Sequence, residues 1–309
     1  MLQKLIAWAK EFRLLFLLFV ILPVTLGSAI ALKYDGGGIS RLYYAISVVA
    51  ILLLHAGTIA YNDLFDYLSG NDVINKARTI FTGGSGLIPE VLKPLEVFTA
   101  GSLCFGLCVL IGLYIAYTRS LLLLPIGVLG IGMGVFYSVP PLKLSYRLLG
   151  EVTWFLSIPL IALGAFIVQV PITSLDVLYQ HAGTFWMIIV ASMPLAFMGT
   201  CGILVLEFPD HDADKAVGKW NLMSVFGKAP GVYFFIALGL LSYATLFLGI
   251  FLGMIPLRGI IVLITAPLMA LAVRGLIKYK GGAMGIVLPI VYVVAACIGT
   301  GLLLILAYL

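Results

Sequence analysis

The chain has 309 residues, of which 62% are hydrophobic and only 10% charged, with a mean hydropathy of +1.18. Soluble domains run at about 45–50% apolar and about 25% charged, so a soluble enzyme, a disordered chain and a nucleic-acid binder working through a charged surface are all excluded. The net charge of +5 is small, and it informs only through where the charges sit.

A helix that crosses a bilayer needs about 20 mostly apolar residues. Nine runs meet that length: 13–33, 41–61, 93–117, 121–139, 151–171, 184–206, 231–254, 256–277 and 284–307. The opening MLQKLIAWAKEFR has no small-residue cleavage pattern and reads as mature protein rather than as a signal peptide. The third and fourth runs are parted by Thr118, Arg119 and Ser120, and the seventh and eighth near Pro256, Leu257 and Arg258, so both pairs read as tight helical hairpins. The expected fold is therefore all-α: a polytopic membrane protein, residues 1–309 forming one domain of nine transmembrane helices. Cys104, Cys108, Cys201 and Cys297 all lie within apolar runs without a CxxC pair and read as small packing residues.

Charge distribution orients the spans. With the N-terminus in the cytoplasm, fourteen Lys and Arg fall on the cytoplasmic side, and Lys33, Arg41, Arg119 and Arg258 on the other. That bias satisfies the positive-inside rule. Only Asp35 and Asp176 fall on the outer side; most of the other acids gather in YNDLFDYLSGND, residues 61–72, and LEFPDHDADKAVGK, residues 206–219. The first follows the second span and the second follows the sixth, so both emerge on one face. Two four-helix halves, about 13–139 and 151–277, plus the ninth run suggest a quasi-repeat.

On a continued helix Asn62 and Asp66 lie one turn apart with Asp63 beside them. Gly70 is expected to end that helix and to leave Asp72 in a loop. Asp210 and Asp214 are also one turn apart, Glu207 shares their face, Asp212 points elsewhere, and a new helix starting near Pro209 would accommodate that proline. Carboxylates packed at a bilayer edge repel one another unless a cation compensates. Mg²⁺ takes such ligands, binding through one or two carboxylates plus substrate phosphates. The interleaved Lys76, Arg78, Lys215 and Lys219 suit a diphosphate better than a bare cation pore.

The segment LLLHAGTIAYNDLFDYLSGND resembles the first aspartate-rich motif of the UbiA superfamily of intramembrane prenyltransferases, in the NDxxDxxxGxD form of its menaquinone-type branch. Asn62, Asp63, Asp66, Gly70 and Asp72 fit it. EFPDHDADKAVGKWNL is similar to the second motif through Asp210, Asp214, Lys215, Gly218 and Lys219. YSVPPLKLSYRLLGE resembles the family's YxxPPxxLxYRGLGE, with Leu149 where Gly is usual. FRLLFLLFVILPVTLG keeps the family's spacing from Arg13 to Pro23, with Leu14 in place of proline.

The resemblance implies nine helices around a central cavity under a cytoplasmic-side cap, to which the Gly-rich FTGGSGLIPE, residues 81–90, would contribute. It implies transfer of a prenyl group from an allylic diphosphate, through a carbocation, to an aromatic or other lipophilic acceptor within membrane lipid. Asn62, Asp63, Asp66 and Asp72 would hold one Mg²⁺ and Asp210 and Asp214 a second. Lys76, Arg78, Lys143, Arg147, Lys215 and Lys219 are the expected diphosphate contacts. Tyr137 would face the cation or orient the diphosphate, or else anchor at the membrane interface. Arg13 would hold an acceptor carboxylate or simply follow the positive-inside pattern, and His55 would pack within the bundle or act as a base. Glu151 fits a helix N-terminus. The GxD spacing and the EFPD form lean toward a 1,4-dihydroxy-2-naphthoate-like acceptor, with 4-hydroxybenzoate, a haem or chlorophyll precursor and a glycerol ether lipid as the other acceptors of the family. The reading from another class is a cation-coupled transporter that uses the acidic clusters as its pathway.

Overall fold

The computed structural model describes residues 2–13, 16–35, 38–79, 81–82 and 84–309. Apolar runs become helices because a buried backbone must satisfy its own hydrogen bonds where no water reaches. In chain order these are α1 (Leu2–Glu11), α2 (Leu17–Asp35), α3 (Arg41–Leu68), α4 (Asn71–Ile74), α5 (Pro94–Thr118), α6 (Leu123–Val135) and α7 (Gly150–Gln169). They continue as α8 (Leu175–Gln180), α9 (Ala182–Ala216), α10 (Leu222–Phe226), α11 (Lys228–Phe251), α12 (Ala266–Lys278) and α13 (Ala283–Tyr308). Among the described residues there is no strand, only an isolated bridge between Arg147 and Trp220.

Among the described residues eight helical segments are long and apolar enough to cross a membrane, one of them Leu257–Lys278, where a 3-10 stretch runs into α12. The fourth expected span is the exception. Its helix, α6, has 13 residues, about 20 Å at 1.5 Å per residue, short of the roughly 30 Å apolar core of a bilayer. Residues 136–139 turn ahead of Pro140–Pro141 instead of extending it, since a proline disfavours helix in the residue before it.

The two longest described helices carry the acids outward. α3 has 28 residues and ends at Leu68, with Gly70 left-handed at φ 81°. Asp72, expected in a loop, sits in the single turn of α4. α9 has 35 residues and runs unbroken through Pro194 and Pro209. No new helix starts at Pro209: Val205 and Phe208 beside it are fully buried, and that packing outweighs the one backbone bond that proline removes.

The main core joins α2, α7, α9 and α13 through Leu26, Ile30, Phe166, Leu195, Leu204 and Ile290. A smaller cluster docks Ala7 of α1 onto Ala60 and Leu64 of α3 and onto Leu92. At the end of the bundle away from the acids, arginines close helix ends. Arg119 donates to the Val168 and Gln169 carbonyls at 2.7 and 2.8 Å, and Arg258 to the Ala307 carbonyl at 2.7 Å.

Candidate active site

The ends of α3 and α9 meet directly. Lys219, just past α9, places Nζ 2.7 Å from Asp66 Oδ2 and 3.9 Å from Asp214 Oδ1. Asn71 of α4 donates to Asp214 Oδ1 at 2.6 Å, and Asn75 donates to Asp210 Oδ1 at 2.7 Å. Asn221 holds the other oxygen of Asp214 at 2.6 Å. The segments are 135 or more residues apart in sequence at these contacts and share one layer in space.

Asp63 and Asp66 are buried, which is tolerable only for charges that are paired. Arg13 Nη2 donates to Asp63 Oδ1 at 2.8 Å, and the Ser85 amide donates to Oδ2 at 2.8 Å. Asp66 accepts from the Tyr146 hydroxyl at 2.6 Å, from Lys219 at 2.7 Å and from Asn62 at 3.1 Å. The Asn62 side-chain carbonyl in turn accepts from Ser138 at 2.9 Å. Arg13 holds a left-handed backbone at φ 46°, as does Lys143 at φ 44°; such strain in a non-glycine residue collects at functional sites.

Burial works against the charges of Arg13 and Lys219, and the surrounding aspartates outweigh it, holding both pKa values above their ordinary range. Burial, with Asp66 and Asp63 nearby, pushes Asp72 up to about 8. Burial likewise raises Tyr137 and Tyr146, so both phenols keep their protons. Glu11 is fully buried, and burial together with Asp63 lifts its carboxyl to about 8.

The loop expected to cap the site lies on it. Gly83 falls outside the described residues. Gly84 and Gly86 are left-handed at φ 68° and 67°, and a Cβ on either would strike the Asp72 carboxylate or the Arg78 guanidinium. Only glycine lets this backbone approach so closely. Arg78 also donates to the Asp72 carbonyl at 2.7 Å.

Below the acids a cavity descends between α2, α3, α6, α7, α9 and α13. Asp210, Asp214 and Lys219 line its acidic end, Tyr137 and Glu207 lie next to them, and His55 lies deeper. The rest of its lining is mostly apolar, with Leu54, Ile161 and Val294 among it and Trp154 and Ser157 interspersed. Arg13 and Asn62 also line it.

The other expected site residues sit at the edge of this layer. Lys143 packs over the Tyr146 ring at 4.7 Å. Lys76, Arg147 and Lys215 are exposed and make no ion pair among the described residues. Sequence reading passed over Tyr146, Asn71, Asn75, Asn221, Ser138 and Glu11 as site residues. Most lie inside or beside the motifs already quoted, but uncharged amides and hydroxyls carry no signal as strong as a run of aspartates.

A family profile described as the UbiA prenyltransferase family matches residues 20–285. The chain belongs to the UbiA prenyltransferase family. It is 24% identical over 211 residues to a 1,4-dihydroxy-2-naphthoate octaprenyltransferase of Bacillus subtilis (strain 168), covering 68% of this chain and 62% of that protein. It is 25% identical over 215 residues to a chloroplastic 2-carboxy-1,4-naphthoquinone phytyltransferase of Arabidopsis thaliana, covering 69% and 53%. The matched stretch thus spans less than two thirds of either relative. Among solved structures, a UbiA homolog from Archaeoglobus fulgidus bound to GPP and Mg2+ superposes with a TM-score of 0.62 at 14% identity, covering 97% of this chain and 99% of that one. At that identity the likeness establishes the all-helical fold of this integral, multi-pass family and nothing finer.

Among the described residues no three His, Cys, Asp or Glu side chains are grouped to hold a metal ion by themselves. The donor set still fits Mg²⁺. That ion uses one or two carboxylates and takes its remaining ligands from phosphate and water. The places between the acids are held here by protein cations, Lys219 between Asp66 and Asp214 and Arg13 against Asp63.

Proposed function

We propose that this protein is a Mg²⁺-dependent membrane prenyltransferase that moves a polyprenyl group from an allylic diphosphate to an aromatic, quinone-precursor acceptor of the 1,4-dihydroxy-2-naphthoate class. One observation carries the reading: the acids of α3 and α9 converge, bridged by Lys219, at the end of a mostly apolar cavity. A polyprenyl diphosphate has the matching shape, a dianionic or trianionic head on a hydrocarbon tail. The activities named for the two naphthoate-type relatives support the acceptor class.

In this reading Asp63, Asp66 and Asp72, with the Asn62 oxygen, hold one ion, and Asp210 and Asp214 a second. The bound metal supplies positive charge to the departing diphosphate. Lys219 turns from Asp66 to the phosphate oxygens, and Arg78 and Lys143 meet them from the rim. Lys76, Arg147 and Lys215 lie where they would attract the anion before it docks. Arg13, which pairs with Asp63 and lines the cavity, would have its fork free for the acceptor's carboxylate if a metal ion took up Asp63. Tyr137 turns a neutral ring toward the allylic cation. The glycine loop at 84–86 presses on Asp72 and Arg78 and keeps water from the cation. The acid-bearing end faces the cytoplasm, where diphosphate and Mg²⁺ are supplied.

The test uses purified protein in lipid nanodiscs with Mg²⁺, a labelled allylic diphosphate and a panel of acceptors. The expected outcome is metal-dependent diphosphate release with a prenylated aromatic product in the lipid extract. Absence of diphosphate release with every acceptor, together with cation flux in proteoliposomes, would favour the transporter reading. Against that reading, the acids lie at one end of the bundle and none of them lines the cavity's interior below Glu207.

A further inference from the structure

Beneath the acidic layer the cavity holds polar groups that nothing satisfies. Glu207 Oε2, His55 Nε2 and Trp154 Nε1 are each buried without a hydrogen-bond partner, and all three side chains line the same cavity. An unsatisfied buried polar atom costs about 1–3 kcal/mol. Three around one space mark a ligand that brings donors and acceptors of its own. An isoprenoid tail brings none, so these groups answer to the second substrate.

Glu207 differs from the aspartates above it. Asp66 is held by Tyr146, Lys219 and Asn62, Asp210 by Asn75, and Asp214 by Asn71 and Asn221. Glu207 is met by the Met223 backbone amide, and its Oε2 has no partner at all. Glu207 precedes Asp210 by three residues on the same face of α9, which sets it about 4.5 Å deeper. That is the level of the first allylic carbon when the diphosphate is held by the layer above. Tyr137 is a near neighbour and lines the same part of the cavity. His55 precedes Asn62 by seven residues on α3, about 10 Å deeper than the acids, beyond the reacting carbon.

Resting on the prenyl-transfer reading, we propose that Glu207 takes the proton from a ring hydroxyl of the acceptor as the new carbon–carbon bond forms, while His55 and Trp154 orient the far side of that ring. The electrons balance. The allylic C–O bond breaks and its pair leaves with diphosphate. A ring π pair makes the new C–C bond, the O–H pair becomes a carbonyl, and the proton passes to the carboxylate. Enolisation then moves the ring-carbon proton to that carbonyl and restores the hydroxyl.

Glu207→Gln keeps the shape and removes the base. Wild type and variant are compared in nanodiscs with Mg²⁺, ¹⁸O-labelled geranylgeranyl diphosphate and a mixture of 1,4-dihydroxy-2-naphthoate and 4-hydroxybenzoate. Positional exchange of the label reports C–O ionisation, and mass spectrometry reports prenylated product. In Glu207→Gln, exchange should stay within about threefold of wild type while product falls about 100-fold or more, with geranylgeraniol from water capture in its place. Glu207→Asp should regain about tenfold over the glutamine variant. Product within about threefold of wild type in Glu207→Gln overturns the assignment, and so does parallel loss of exchange and product, which would place Glu207 in the leaving-group site. Exchange by wild type without any prenylated aromatic overturns this inference alone; neither exchange nor product in wild type overturns the prenyl-transfer reading with it.

Discussion

The two acidic segments are neutralised by different means. At the end of α3 the partners are cations, with Arg13 on Asp63 and Lys219 on Asp66 at 2.8 and 2.7 Å. At the end of α9 the close partners are amides, with Asn75 on Asp210 and Asn71 and Asn221 on Asp214, and Lys219 comes no nearer to Asp214 than 3.9 Å. An amide orients a carboxylate without cancelling its charge, whereas an ammonium or guanidinium does both. The α9 carboxylates are therefore aimed by amides and only partly compensated, Asp214 by the more distant Lys219. Those of α3 must first give up a protein cation, which frees that cation for an incoming anion. The asymmetry describes a site that exchanges internal counter-ions for metal and diphosphate together.

Removing a cation should break the comparison most severely. Lys219→Met should lower turnover by about two to three orders of magnitude, by analogy with loss of a single oxyanion donor. Without metal it also leaves Asp66 and Asp214 short of a cation, and breaking a buried pair costs about 3–5 kcal/mol. Thermal unfolding in detergent should therefore show a large loss that added Mg²⁺ largely repairs. A loss indifferent to Mg²⁺ would mean that the metal does not take the place of the ammonium.

Replacing an amide should act more gently. Asn71→Ala leaves one Asp214 oxygen without its donor, at about 1–3 kcal/mol, while the charge pattern is unchanged. Mg²⁺ affinity should fall modestly, because the carboxylate is less well aimed. An effect on activity as large as that of Lys219→Met would erase the distinction between aiming and neutralising.

The smallest effect on turnover is expected at Glu11, which stands beside Asp63 without taking part in either pairing and acts through stability alone. Its folded carboxyl keeps a proton up to about pH 8, and the unfolded chain releases it near its ordinary value. A raised acid is most favourable below the unfolded value, so each pH unit from there to about 8 removes up to about 1.4 kcal/mol. Glu11→Gln should flatten that slope in melting temperature between pH 5 and 8; an unchanged slope would show that Glu11 is charged throughout.

Long apolar runs made most of the fold legible, because length and hydropathy are properties of a run by itself. The exceptions are informative. α6 stops at Val135, ahead of the turn before Pro140–Pro141, where counting apolar residues to 139 hides the break. Pro209 stays within α9 because Val205 and Phe208 are anchored by distant helices, which the local sequence does not display. In the site, the aspartates and Lys219 stood out by charge and spacing. Tyr146, Asn71, Asn75 and Asn221 acquire their meaning only when α4 and the turn after α9 are folded against each other. Glu207 shared the right face in sequence, yet its missing partner is visible only in three dimensions.

The central claim is that the acids of α3 and α9 serve one bound diphosphate jointly. Calorimetric titration of Mg²⁺ in the presence of inorganic pyrophosphate tests it most directly, with wild type, Asp66→Asn and Asp210→Asn compared in the same nanodiscs. Pyrophosphate-dependent Mg²⁺ binding should be seen in wild type and lost in each single variant, because neither helix end suffices. Retention of wild-type binding by either variant would contradict the account.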